Sequence, residues 1–378
     1  MKNNLEIQSQ QLNVQSSTTL KKSVFELPKT NVNFQFGQYN SINQDKAFQV
    51  SQSIPFPTYY SAKSGLYKAE LQGSQLQQQA TANEIKAQVQ YWYYQLQYLQ
   101  TTKKQLQSLD SLYNDFVNAA ALRYKTGETN LLEKTTAETK RGQLSLLLKQ
   151  NETDYSTAYN SLKTLMNTRE EFTIENSGNF QPLVMSNSFD TTLIVNNPSL
   201  KVLYQQAVIA EQNKKVETAS AMPDLNVGYF NQSLIGVQNI NGADVNFDGS
   251  KRFQGFNVGL SIPITFFSNA SKVKSLSYKQ QALQTEADNG KLILQSQLQN
   301  AFQQYNQNLS QYNYYKSTAL PNAEIIISTA KVGFKSGDIG YIEYLQALQT
   351  ATDVQLSYLQ SVNQINQSII NINFLINK

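Results

Sequence analysis

Between residues 31 and 36 apolar and polar side chains take turns: Val32, Phe34 and Phe36 fall on one parity, Asn31, Asn33 and Gln35 on the other. A strand sends alternate side chains to opposite faces, so this stretch predicts a strand with one oily and one wet face. The pattern returns at 48–54, with Phe48, Val50 and Ile54 against Gln49, Ser51 and Ser53. It returns twice more in the second half. There Leu225, Val227 and Tyr229 oppose Asn226 and Gly228, and Phe256, Val258, Leu260 and Ile262 oppose Asn257, Gly259 and Ser261. The exits match as well, because FQVSQSIPFP at 48–57 and FNVGLSIPIT at 256–265 share Phe, Val, Ser, Ile and Pro at the same places. Pro28 and Pro223 introduce the two hairpins and Pro55 and Pro263 close them, as expected of a residue that ends helices and is excluded from central strands. Strands are predicted over about 30–40, 46–55, 224–232 and 254–263. The first pair is joined by the polar loop NSINQDKA, the second by a longer loop rich in Asn, Gly and Asp.

After each hairpin the period lengthens to mixed three- and four-residue steps, the signature of a helix. Long helices are predicted over about 60–126 and 268–336, the first containing Gly65 and Gly73, the second interrupted by Gly290 and Pro321. At 1.5 Å per residue each makes a rod on the order of 100 Å. The rods reach YKTGETNLLE at 124–133 and FKSGDIGYIE at 334–343, which share Lys, Gly (Gly127, Gly337) and the final Glu at an offset of 210. The register continues through Ala137 and Ala347 to Asn167 and Asn377. Glycine just past a helix end, followed by a new periodic run, is a helix-turn-helix reversal. The return helices are predicted over about 129–167 and 339–377. The chain is thus read as two repeats, 1–167 and 197–378, each of helix, β-hairpin, very long helix, turn and shorter helix, with an irregular polar connector over 168–196.

Composition narrows the chemistry. With no Cys and no His, disulfides, thiol nucleophiles, His-based triads and Cys or His metal sites are excluded. No carboxylate pair has a catalytic spacing, so neither an enzyme nor a bound cofactor or metal is expected. The 31 Lys and Arg are scattered and the net charge is only +4, which leaves no nucleic-acid footprint. The Tyr-rich WYYQLQY at 92–98 lacks interleaved Arg and Lys and reads as helix-packing surface rather than a base-stacking platform. No run approaches the ~20 apolar residues of a membrane-spanning helix. MKNNLEIQSQ also lacks the apolar core of a signal peptide. These features alone would describe a soluble chain, but the alternating stretches point elsewhere.

Four strands near the 9–11 residues that cross a bilayer cannot close a barrel alone. In lipid an open edge costs several kcal/mol for each unsatisfied backbone group, so closure would need further copies. A soluble sheet with one face on helices gives the same alternation, and a soluble coiled-coil scaffold stays open as an alternative.

At this point the chain resembles the TolC family of bacterial outer-membrane efflux channels, within it the CusC/CzcC-type heavy-metal branch, and in particular the channel domains attached to CusA/CzcA-type inner-membrane pumps in Bacteroidetes-like bacteria. The resemblance is carried by the duplicated strand starts LPKTNVNFQF and MPDLNVGYF, the F-x-V-x-x-S-I-P exits and the two turns, with Ala137 and Ala347 four residues after each Glu. It implies a mainly α fold with a β-barrel part: a homotrimer with a twelve-stranded barrel in outer-membrane lipid, continued by an α-helical barrel in the periplasm. The chain would be a passive conduit for metal cations or small toxic molecules. Its partners would be a periplasmic adaptor (membrane fusion protein) and a resistance-nodulation-division (RND) inner-membrane pump. Pairing with an ABC-type (type I) exporter stays open.

The resemblance also assigns roles. Lipid-facing strand residues would be Val32, Phe34, Phe36, Phe48, Val50, Leu225, Val227, Tyr229, Phe256, Val258 and Leu260. Tyr59, Tyr60, Phe266 and Phe267 would form interface aromatics, or pack on the helix starts. Glu133 and Glu343 would sit near the periplasmic constriction, with Gln346 where the family carries a further acid. The turns Lys125, Gly127, Glu128 and Lys335, Gly337, Asp338 would meet the adaptor. The second half opens its first helix at Asn197-Pro198-Ser199-Leu200, which places Leu200 opposite Leu5. The first helix is therefore expected almost at Met1, leaving no room here for an export signal or lipid-bearing Cys. The chain could be a fragment, or the tail of a polyprotein with the pump fused upstream.

Overall fold

The computed structural model describes residues 3–174, 180–185, 190–264 and 266–378, with the Phe266 side chain outside that set. Part of the predicted connector, 175–179 and 186–189, therefore lies outside the described residues. The elements are α1 (Leu5–Leu20), β1 (Asn31–Gly37), β2 (Asp45–Ile54), α2 (Pro57–Lys125), α3 (Leu131–Met166), α4 (Pro198–Ser220), β3 (Asp224–Gln232), β4 (Gly236–Ile240), β5 (Ala243–Phe247), β6 (Phe253–Ser261), α5 (Phe266–Tyr314), α6 (Leu320–Ser336) and α7 (Tyr341–Ile376). Two compact units form, and each draws on both sequence repeats: Met1–Gln10, Gln78–Lys201 and Gly290–Lys378 make a helical unit, Gln11–Gln77 and Val202–Asn289 a strand unit.

In the strand unit four antiparallel strands lie in the order β1-β2-β3-β6. Paired residues point to the same face, and the register pairs Val32 with Val50, Phe34 with Phe48, Val50 with Tyr229, Val227 with Val258 and Leu225 with Leu260. One face is therefore mainly apolar across all four strands, interrupted by Lys46, Gln52, Asn231 and Gln254, and the other carries mostly amides, hydroxyls and glycines. The predicted long loop is not plain: β4 and β5 form a second hairpin whose tip, Asn241-Gly242, has φ of 53° and 85°. Two successive residues with positive φ are what a tight hairpin turn of matching twist requires, and Asn-Gly supplies them. At the base of this hairpin Asp45 is fully buried. It accepts from the Ser41 and Ser233 hydroxyls at 2.8 Å and from the Ile235 N–H at 3.0 Å, which ties the β1–β2 loop to the β3 exit.

In the helical unit each return helix ends on an asparagine in the left-handed region, Asn167 (φ 47°) and Asn377 (φ 58°), whose N–H reaches back to the last turn. Each pre-strand helix begins on an asparagine that does two jobs. Asn4 Oδ1 accepts from the Glu6 and Ile7 N–H groups, while Asn4 Nδ2 donates to the Leu165 carbonyl at 2.8 Å. Asn197 repeats this with the Ser199 and Leu200 N–H groups and, at 2.9 Å, the Leu375 carbonyl. The caps place Pro198, rather than Leu200, opposite Leu5. Pro198 suits this place because its missing N–H is unneeded in the first turn.

Gly290 does not interrupt the second long helix. Pro321 does, mildly: Tyr315–Ala319 widen into a π-turn between α5 and α6. The wider turn relieves the clash between the proline ring and the carbonyl four residues back, so the rod continues rather than breaks. The two return helices differ in burial. α3 buries Ala137, Leu144, Asn151 and Ala158, one residue per heptad, plus Leu162. α7 buries sixteen residues, among them Leu348, Val362, Ile365 and Ile372. A single heptad seam covers one neighbour, whereas burial all round marks a helix enclosed by its own chain.

Near the turns, aromatic stacking joins the repeats. Phe116 lies on Tyr341 with centroids 4.6 Å apart and reaches Tyr344 at 5.3 Å, while Phe334 stacks on Tyr344 at 4.7 Å within the second repeat. The Tyr341 hydroxyl donates to the Glu133 backbone carbonyl at 2.5 Å. Burial, then the Glu133 charge, push its pKa up to about 12.

Two predictions follow from this packing. Asn197→Ala, which loses a cap and leaves a buried carbonyl unpaired, should cost about 2 kcal/mol, and the more open Asn4→Ala about 1 kcal/mol. The shift in guanidinium midpoint of detergent-purified protein reads both. Because the Tyr341 pKa is raised on folding, its contribution is intact below pH 10 and is lost as pH rises through about 12. Melting temperatures of Tyr341→Phe should therefore fall less over that window than those of the parent.

Candidate membrane face and turn tips

All eleven strand residues expected on the lipid side share the apolar face of the sheet. On the outer strands they stand free: Phe34 is 59% exposed, Phe36 71%, Phe256 84% and Val258 74%. On the inner strands Phe48, Val50, Val227 and Tyr229 are half-buried. Their cross-strand neighbours account for that, since Phe34 stacks on Phe48 at 5.0 Å and Tyr229 on Phe256 at 5.5 Å. A sheet seated on helices would bury this face. Here exposure rises toward the edges, where β1 and β6 each leave one row of backbone groups unpaired within the four-stranded sheet. Among the described residues no helix is long and apolar enough to cross a membrane.

The expected interface aromatics divide. Tyr60 stacks against Phe25 at 5.7 Å and Tyr59 lies edge-on to Tyr60. Lys63 hovers 6.0 Å above the Tyr59 ring and pairs with Glu26 at 3.6 Å. These two rings pack the start of α2. Phe267, by contrast, is 92% exposed at the start of α5. The Phe266 side chain lies outside the described residues.

Both turns are built alike. α2 ends at Lys125, Gly127 takes φ 76°, and the Glu128 N–H returns to the Arg123 carbonyl at 2.8 Å. α6 ends at Ser336, Gly337 takes φ 82°, and the Asp338 N–H returns to the Gly333 carbonyl at 2.9 Å. Only glycine enters that region without strain, which is why the two glycines keep register 210 residues apart. Lys125, Gly127, Glu128, Lys335, Gly337 and Asp338 are all exposed.

The two acidic candidates, equivalent in sequence, are not equivalent in structure. Ahead of α3 the side chain of Asn130 accepts from the Glu133 N–H at 3.1 Å, so the cap is filled without the carboxylate. Glu133 is half-buried, and its Oε2 is enclosed with no hydrogen-bond partner. Ahead of α7 stands Gly340, which has no side chain to offer, and the exposed Glu343 turns back so that its Oε2 accepts from the Gly340 N–H at 2.9 Å. Such a reach from the third helical residue satisfies one of the orphan donors of a helix start. Gln346 is exposed one turn on. The Tyr341 bond to the Glu133 carbonyl brings the two return-helix starts side by side. Sequence reading gave Glu133 and Glu343 one role, although the Asn130/Gly340 difference was a visible signal that only one position needs its carboxylate as a cap.

Known proteins share this arrangement. The fold matches a membrane protein of Pseudomonas aeruginosa over 99% of this chain and 90% of that one, with a TM-score of 0.82 at 12% identity. It matches the channel protein CusC over 99% and 89%, with a TM-score of 0.80 at 14% identity. In sequence, the chain is 21% identical over 267 residues to the cobalt-zinc-cadmium resistance protein CzcC of Cupriavidus metallidurans, covering 69% of this chain and 60% of CzcC. Residues 191–378 match the family described as outer membrane efflux protein. With that match confined to the second repeat, and the same architecture running through the first, residues 191–378 carry the outer membrane efflux protein signature and the chain as a whole has the TolC-type channel fold.

Proposed function

We propose that this chain is one subunit of a trimeric outer-membrane conduit in a tripartite efflux system. The observation that carries the reading is the sheet: apolar and exposed on one face, polar on the other, open at both edges. Its strands have 7 to 10 residues, about the length that spans the hydrocarbon. Joining β1 of one copy to β6 of the next satisfies the open edges. Two copies would give eight strands, an interior that side chains just fill, so a passage needs at least three. Three copies give twelve strands with lipid outside and amides and hydroxyls within.

The helical unit serves the periplasmic side. Its exposed turns, Lys125 to Glu128 and Lys335 to Asp338, meet a periplasmic adaptor, and through it an RND pump supplies the energy. The subunit itself performs no chemistry. The likeness to CzcC and CusC favours metal cations or small toxic molecules as cargo. Glu133 and Glu343, three copies of each, place negative charge near the constriction and favour cations; Gln346 adds none.

Purified protein should run as a detergent-dependent trimer and conduct ions in planar bilayers, and a monodisperse water-soluble monomer would refute the reading. Val258→Arg on the apolar face should destabilise the inserted barrel by about 2–4 kcal/mol, read as a loss of heat-resistant trimer. Glu133→Gln should move the reversal potential in a salt gradient toward equal cation and anion permeability, and an unchanged potential would remove Glu133 from the constriction.

A further inference from the structure

The polar face of β3 and β6 is unusually low. Three consecutive cross-strand pairs, Asn226 with Gly259, Gly228 with Asn257 and Phe230 with Gly255, each set a glycine against a larger residue. In two of them the larger side chain lies over the glycine. A Cβ placed on Gly228 would stand 2.3 Å from Asn257 Oδ1, and one on Gly255 would stand 2.8 Å from Phe230 Cζ and 2.9 Å from Cε1. Both distances are far inside van der Waals contact, so the amide and the ring occupy the space that a side chain would need. Phe230 is one of two rings on this face, the other being Phe253 at the start of β6, which packs against Phe247 at 5.5 Å. The partner of Phe230 on the other side is Gln49, and the surrounding positions hold Ala47, Ser51 and Asn257. A phenyl ring projecting from such a wall would obstruct whatever passes along it. Laid over a glycine, it takes up wall rather than passage.

We propose that the Phe230–Gly255 pair sets the clearance of the barrel: the glycine gives the ring a berth, and any side chain at 255 lifts three rings, one per subunit, into the lumen. The proposal rests on the barrel reading above, in which the polar face lines the passage. Covering a strand glycine with an aromatic ring also stabilises a sheet, but that role alone would not make passage depend on size.

The chain has no cysteine, so a single Asn226→Cys substitution reports access past the ring for reagents arriving from the β4–β5 end. A small maleimide and a bulky polyethylene-glycol maleimide are timed against the trimer in vesicles. Gly255→Leu should slow the bulky reagent several-fold and spare the small one, Gly255→Ala should do so more weakly, and adding Phe230→Ala to Gly255→Leu should restore the parent rate. Equal rates for the bulky reagent in parent and both Gly255 variants, or failure of Phe230→Ala to restore them, would overturn the proposal. Val227→Cys on the apolar face separates this from failure of the barrel reading: if it reacts with the small reagent as fast as Asn226→Cys, the polar face is no lumen and both ideas fall together.

Discussion

An unpaired backbone N–H or C=O has nowhere to go in hydrocarbon, where each costs several kcal/mol. That constraint organises this structure. The strand unit presents a broad apolar face with free backbone at β1 and β6, a combination that is a hazard in water and a requirement in a bilayer. A single copy cannot resolve it, since the edges are the two ends of one open sheet. In the conduit proposed above, the assembly is therefore written into the sheet before any contact between subunits is considered.

Much of this was legible in the sequence, because the signals are periodic and duplicated. The alternation in NVNFQF and FNVGLS set both strand position and facing, and the register confirms one shared apolar face. The turns were legible because Gly127 and Gly337 are needed for positive φ, a demand that few residues meet. What escaped was structure that depends on partners distant in the chain. Asp45 looked like one more loop polar group, yet it is buried by Ser233 and Ile235, nearly 190 positions away. The β4–β5 hairpin was missed although Asn241-Gly242 announces it, because the flanking residues are too short and polar to alternate clearly. The π-turn before Pro321 reflects how a helix absorbs a proline when its neighbours hold it in place, and local preference does not record that.

The repeats share an architecture while dividing the labour. α7 is the enclosed helix and α3 the outward one. Asn130 frees the Glu133 carboxylate, whereas Gly340 commits that of Glu343 to the backbone. Duplication supplied two similar hairpins, and small changes at the caps then gave the two acids different surroundings. Equivalence in an alignment is thus a poor guide to equivalence of charge.

The paired asparagines at the helix starts carry a consequence for timing. Asn4 waits for the carbonyl of Leu165, and Asn197 for that of Leu375. Each repeat is therefore clasped like a necklace, by its first and last links, and neither clasp can fasten until almost all of its repeat has been synthesised. Contacts so remote in sequence form slowly. The outer-membrane subunit proposed above, which must cross one membrane before settling in another, gains from that delay, since it stays threadable until its final residues arrive.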